Sequence, residues 1–265
     1  MLLRWKSSLN DRWSHGCLET WSNNSSPCNW TGVTCSAAMV HHGHGRSDDV
    51  QVVTNISLPG CYLEGTLDQL HFAEFSELSV LDLSNNKLFG YVPASKGKLT
   101  ELTSPNLSCG EWSGSIPATI GILVNLRKLD LSGNGFSHLI PSSLGNLTRL
   151  EYMDLSSNSL SGHVPHEIGM IHSLTMLNLS RNSITGSILG IVGNLTRLEL
   201  LDLSSNYVRG SIPPSIGNLI RLKSFNVRNN EIARSIPGSI ANLERLKLLD
   251  LSSNEINGPI PFLEA

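Results

Sequence analysis

At 265 residues, 40% of them hydrophobic, the chain is long enough to bury a continuous core in one large domain or two small ones. Only 15% of residues are charged and the formal net charge is −3, so there is no basic surplus to neutralise phosphates or dock on anionic lipid, and nucleic acid is excluded as an expected partner. No stretch approaches the ~20 consecutive apolar residues of a membrane span, so this segment is not expected to insert into a bilayer.

The chain opens MLLRWKSSLN, without the apolar core of about 7 to 15 residues that marks a secretory signal. Sequons point the other way. Asn-x-Ser/Thr occurs at Asn23, Asn24, Asn29, Asn55, Asn106, Asn146, Asn178 and Asn194, and all but the first are taken as glycosylation candidates on a secreted protein whose signal is removed. Next comes the stretch Met39 to Asp49, MVHHGHGRSDD, which gathers His41, His42, His44, Asp48 and Asp49. Imidazole and carboxylate are zinc ligands, but this spacing imposes no rigid geometry. It reads as an exposed loop insertion, and no metal or cofactor is expected.

From there to the end the chain repeats. The pattern LxLxxN places asparagine at Asn86, Asn134, Asn158, Asn182, Asn206, Asn230 and Asn254, in steps of 24 residues after one of 48. A degenerate unit, Leu102 to Pro117, fills the gap; in it Pro105 takes a leucine position and Gly110 the asparagine position. An earlier unit, Ile56, Leu58 and Cys61, carries cysteine in place of the amide. Nine coils result, the last incomplete.

Each residue class has a physical task. Leucines such as Leu129 and Leu131 flank one outward residue, the period of a short strand that buries one side. The asparagine turns inward, where its amide bonds backbone of its own and the adjacent coil. In LxGxIP, glycine permits a tight bend and proline ends the hydrogen-bonded run. One coil cannot bury its own apolar edges, so coils stack about 4.8 Å apart and the ends need capping. The fold class is an α/β repeat solenoid with a parallel concave sheet and convex loops or short 3-10 helices.

Across the coils the consensus LxxLxxLDLSxNxLxGxIPxxIGNLxxL resembles the plant-specific leucine-rich repeat of receptor-like kinase ectodomains. Before it LLRWKSSL, Leu18, Trp21, Cys28, Trp30, Gly32, Val33 and Cys35 resemble the N-terminal cap of those receptors, and VVTNISLPG, Val52 to Gly60, resembles their run into the first repeat. The resemblance implies a right-handed superhelix with a cap over 1–55 and repeats over 56–265. It also implies a Cys28–Cys35 disulfide, and a setting on the extracellular face of the plasma membrane in a receptor whose membrane helix and kinase lie outside this sequence. Cys61 is read as a buried thiol at its ladder position, and Cys17 and Cys109 have no evident mate; five cysteines leave at least one unpaired.

No GxSxG elbow, phosphate loop or HExxH pair is present, so the chain is read as a binding module and not an enzyme. Asp82, Asp130, Asp154, Asp202 and Asp250 recur with Asn106, Asn178 and Asn226 at the outward strand position, and they are read as wet scaffold carboxylates. Recognition is sought where equivalent outward positions differ. One such column reads Val80, Ser104, Lys128, Tyr152, Met176, Leu200, Ser224 and Leu248, and its middle forms a cationic end followed by an amphipathic stripe suited to an extended peptide or partner loop. Arg181, Arg228 and Asn229 break the Ser-Ser consensus farther round, where an arginine can clamp a carboxylate. The expected partners are a secreted peptide or protein ligand and a co-receptor ectodomain. A soluble protein resembling polygalacturonase inhibitors, or a remnant of a duplicated receptor, are the competing readings.

Overall fold

A computed structural model describes residues 2–10, 16–42, 46–92 and 99–261. Nine parallel strands, one per coil, run from the end of β2 (Arg46–Ser57) through Val80–Asp82, Ser104–Asn106 and onward to Leu248–Asp250; β1 (Val33–His42) pairs antiparallel with β2 and completes a ten-stranded sheet. The register is fixed by the 24-residue period, so that Lys128, Tyr152, Met176 and Leu200 lie opposite one another in four adjacent strands. A second sheet of nine short parallel strands, Glu64–Gly65 to Glu255–Ile256, forms where the LxG element crosses the edge of each coil. From the third coil on, a five-residue 3-10 helix such as Ser142–Asn146 closes the convex side.

Leucine columns fill the space between these layers as one continuous core. The asparagine ladder holds their polar backbone. Asn86 Nδ2 donates to the carbonyls of Leu58, Leu83 and Ser84, and its Oδ1 accepts from the Leu63 N–H at 2.9 Å. Asn134, Asn158, Asn182, Asn206, Asn230 and Asn254 repeat the donor pattern to the preceding coil and to their own turn.

The degenerate coil solves its missing amide by volume. Trp112 is fully buried, with its indole Nε1 2.8 Å from where a Cβ on Gly110 would stand, so the ring occupies the slot of the absent side chain. That exchange fills space without replacing the hydrogen bonds, and Trp112 Nε1 has no partner. Pro105 donates no N–H, and pairing with the next strand shrinks to Asn106 opposite Asp130.

At the N-terminal end, α1 (Leu2–Ser8) and the following turns lay Trp5, Trp21 and Trp30 over the first coil. Trp21 stacks on Trp30 with centroids 5.2 Å apart, and the Trp5 and Trp21 indoles donate to the Thr66 and Thr31 carbonyls. Two disulfides tie this cap, Cys28–Cys35 and Cys17–Cys61. The second corrects the reading of Cys61 as a thiol and supplies the mate that Cys17 lacked. A ladder amide reaches back to the preceding coil, and the first coil has none; its inward position therefore meets the cap. Cys109 is an exposed thiol.

Candidate recognition surface

The concave face is built on a repeated turn. From the second coil on, the outward Asp or Asn oxygen accepts the N–H two residues on, as Asp130 does from Ser132 at 3.2 Å and Asn226 from Arg228 at 3.0 Å, often with the serine hydroxyl as well. Only the Oδ1 acceptor is required, which is why Asp and Asn interchange down the column. The residue after that serine adopts a left-handed backbone: Asn85, Cys109, Gly133, Ser157, Arg181, Ser205, Asn229 and Ser253 all have φ between 53° and 64°.

These carboxylates are not uniformly wet, contrary to the sequence reading. Asp130 and Asp154 are only 8% and 7% exposed. Asp154 is saturated: Oδ1 accepts from the Ser156 N–H, and Oδ2 accepts from the Tyr152 hydroxyl at 3.4 Å and from Asn178 Nδ2 at 3.1 Å. Engaged in this way, the column is framework and presents no acid–base pair.

On this framework Lys128, Tyr152, Met176 and Leu200 stand half-buried in one row. Lys128 Nζ lies 4.9 Å from the centre of the Tyr152 ring and 4.0 Å from Asp130 Oδ2, so the cation is held over the aromatic face. Burial, and then the charges of Asp130 and Asp154, push the Tyr152 phenol up to about 12. The result is a short strip with a fixed positive end, a neutral phenol and two flexible apolar side chains. Arg181, Arg228 and Asn229 are exposed on the turns leaving this sheet, with Arg228 and Asn229 two coils beyond Arg181, so the structure does not gather them into one clamp.

The sequons divide by environment. Asn146 and Asn194 are exposed at the ends of convex 3-10 helices, and Asn24 and Asn29 are exposed in the cap. Asn106 and Asn178 are half-buried on the concave face, each with Oδ1 accepting from the N–H and hydroxyl of its own sequon serine. Asn55 is half-buried with an unpaired buried Oδ1. His44 lies outside the described residues, as do the side chains of His41, His42 and Asp48. Among the described residues no cluster of three or more metal-ligating groups occurs, and no helix is long and apolar enough to cross a membrane.

Leucine-rich-repeat family models match residues 77–99, 124–184 and 196–256, and a leucine-rich-repeat N-terminal domain model matches 1–36. The receptor-like serine/threonine-protein kinase GSO2 of Arabidopsis thaliana is 36% identical over 112 residues, 42% of this chain and 8% of that protein. Phytosulfokine receptor 1 of Arabidopsis thaliana is 33% identical over 105 residues, 38% of this chain and 9% of the receptor, so the aligned segments are a small part of either relative. Among solved structures, the ectodomain of the Arabidopsis receptor kinase HAESA, in complex with an extended IDA peptide hormone, superposes with a TM-score of 0.84 at 32% identity, covering 98% of this chain and 42% of that one. The GASSHO1/SCHENGEN3 ectodomain of Arabidopsis thaliana, in complex with CASPARIAN STRIP INTEGRITY FACTOR 2, gives 0.82 at 32% identity, covering 98% and 33%.

Proposed function

Because the chain belongs to the plant leucine-rich-repeat receptor family, we propose that it is an extracellular recognition module that binds an extended peptide or partner loop along its concave face and carries out no catalysis of its own. The observation that carries this reading is the row Lys128, Tyr152, Met176 and Leu200, in register across four adjacent strands. A rigid sheet presents these side chains at a spacing of about 4.8 Å, so a bound extended chain meets them without reorganising the scaffold. Complexes of the HAESA ectodomain with the IDA peptide hormone, and with that peptide and the co-receptor SERK1 together, support a peptide as ligand and a co-receptor as partner.

The test is selection of a random peptide library on the purified chain. Peptides recovered on the parent should bind a Tyr152→Ala/Met176→Glu variant at least tenfold more weakly, about 1.4 kcal/mol. Equal binding to both would place the ligand elsewhere. A fluorescent fusion of the full coding sequence retained in the cytosol would end the extracellular reading.

A further inference from the structure

Three residues before each concave strand, where the convex side turns into the sheet, every coil presents one lateral position. That column changes sign along the solenoid. It begins acidic at Glu77 and Glu101 and ends basic at Arg197, Arg221 and Arg245 in three consecutive coils, all three exposed. Immediately before the strands, Lys223 and Lys247 stand beside them, joined through successive backbone bonds from the Lys223 N–H to the Glu199 carbonyl and from the Lys247 N–H to the Lys223 carbonyl. With Glu199 and Glu244 the cluster holds five cations against two carboxylates, a local charge of +3 on a chain whose net charge is −3.

Earlier coils engage the arginines of the same ridge internally. Arg127 pairs with Glu151 at 2.7 Å, and Arg149 donates to Asn125 Oδ1 at 2.8 Å. In the basic stretch the ion pair is Lys223 with Glu199 at 2.6 Å, and Arg197, Arg221 and Arg245 form none among the described residues. Glu199 is held below the usual carboxylate range by the Lys223 hydrogen bond first and by the charges of Arg221 and Arg245 after it, so one carboxylate already serves several cations. Like charges stacked at a strand spacing of about 4.8 Å repel one another and contribute nothing to the fold.

We propose that this ridge is a docking strip for a linear acidic polysaccharide lying along the stack of coils. A guanidinium presents a planar fork that matches a carboxylate, and one arginine per coil suits a polymer that repeats one carboxylate per sugar. Single exposed ion pairs are weak, so a short acidic ligand gains little here, whereas a polymer rebinds along the strip. Neutral Ser173 precedes Arg197 in this column and bounds the strip, and the acidic Glu77 and Glu101 lie at the far end of the ridge. A second copy of the chain laid antiparallel would offer only Glu77 and Glu101 against the three arginines, and exposed ion pairs of that kind are weak. The choice of a polysaccharide over a nucleic acid rests on the extracellular reading above.

The experiment measures binding of the purified chain to immobilised polygalacturonate, to its methyl-esterified form and, by competition, to polyglutamate and single-stranded DNA. The expected result is binding to the acid form that falls as salt is raised and disappears on esterification. Arg197→Gln/Arg221→Gln/Arg245→Gln should weaken it at least tenfold with an unchanged melting profile, as should Arg221→Glu alone to a smaller degree. Tyr152→Ala and Arg127→Gln should leave it intact, which separates the strip from the concave site. No binding at low salt, full binding by the triple variant, or equal competition by polyglutamate or DNA would each overturn the assignment. Polysaccharide binding by a chain that proves cytosolic would sink the extracellular reading and leave the strip standing.

Discussion

An asparagine amide carries two donors and an acceptor with two lone pairs, and Asn182 turns all of them on backbone: Nδ2 faces the carbonyls of Leu155, Leu179 and Ser180, and Oδ1 accepts from the Leu160 N–H. Alanine there strands buried polar groups in two coils, so Asn182→Ala should lower stability by about 3 kcal/mol, read as a shift of the denaturant midpoint. Ser159→Ala, on an exposed strand position, should stay within about 0.5 kcal/mol, and equal effects from the two would refute the ladder's weight. Tyr152 gives a second residue-level test. Its folded phenol titrates near 12, whereas the unfolded one loses its proton at the ordinary value of 10.0. The linked stability is therefore whole below about pH 10 and is lost between pH 10 and pH 12 as the unfolded state ionises first. Difference absorbance between the parent and Tyr152→Phe should show that high midpoint, and Asp154→Asn should bring it down.

At the scale of the coil, neighbours are coupled through glycine. In the second sheet the side chain following one coil's LxG lies across the glycine of the next: a Cβ on Gly186, whose φ is +82°, would stand 2.0 Å from His163 Nδ1, and one on Gly162 would stand 2.3 Å from Leu139 Cδ2. Gly186→Ala should destabilise by roughly 2 kcal/mol from backbone strain and overlap together, and His163→Ala should recover only the overlap part. Full recovery by His163→Ala in thermal denaturation would mean that the backbone carries no strain. The cap obeys a different rule, because it is cross-linked. Cys17–Cys61 closes 44 residues and Cys28–Cys35 closes 7, worth about 4 and about 2 kcal/mol by loop entropy. Cys17→Ser/Cys61→Ser should consequently lower the cap's unfolding midpoint more than Cys28→Ser/Cys35→Ser does.

Across the whole molecule, stability is a sum of coil and interface terms, and the surfaces are left to differ. A sugar on Asn178 would have to leave through the concave face beside Met176, whereas Asn146 and Asn194 point their amides from convex turns into solvent. Glycopeptide mass spectrometry of the secreted chain should find Asn146 and Asn194 occupied and Asn178 bare. An occupied Asn178 would move recognition away from Met176, toward Lys128 or Arg228.

The repeat was legible because a 24-residue period leaves each residue type one job, so Leu129, Asn134 and Pro141 announce strand, ladder and turn before any coordinates exist. The candidate column stood out for the same reason in reverse: the scaffold cannot account for Lys128, Tyr152 and Met176 at equivalent positions, and the structure sets them side by side in adjacent strands. Contacts between residues far apart in the chain were not legible. Cys17 meets Cys61 only because the cap folds onto an end coil that has no predecessor, and Trp112 fills the slot of Gly110 only because stacking leaves it empty. The burial of Asp130 and Asp154 likewise depends on neighbouring coils. Periodicity is a local property that a sequence carries by itself, and which side chains share a cavity or a surface is decided when the coils stack.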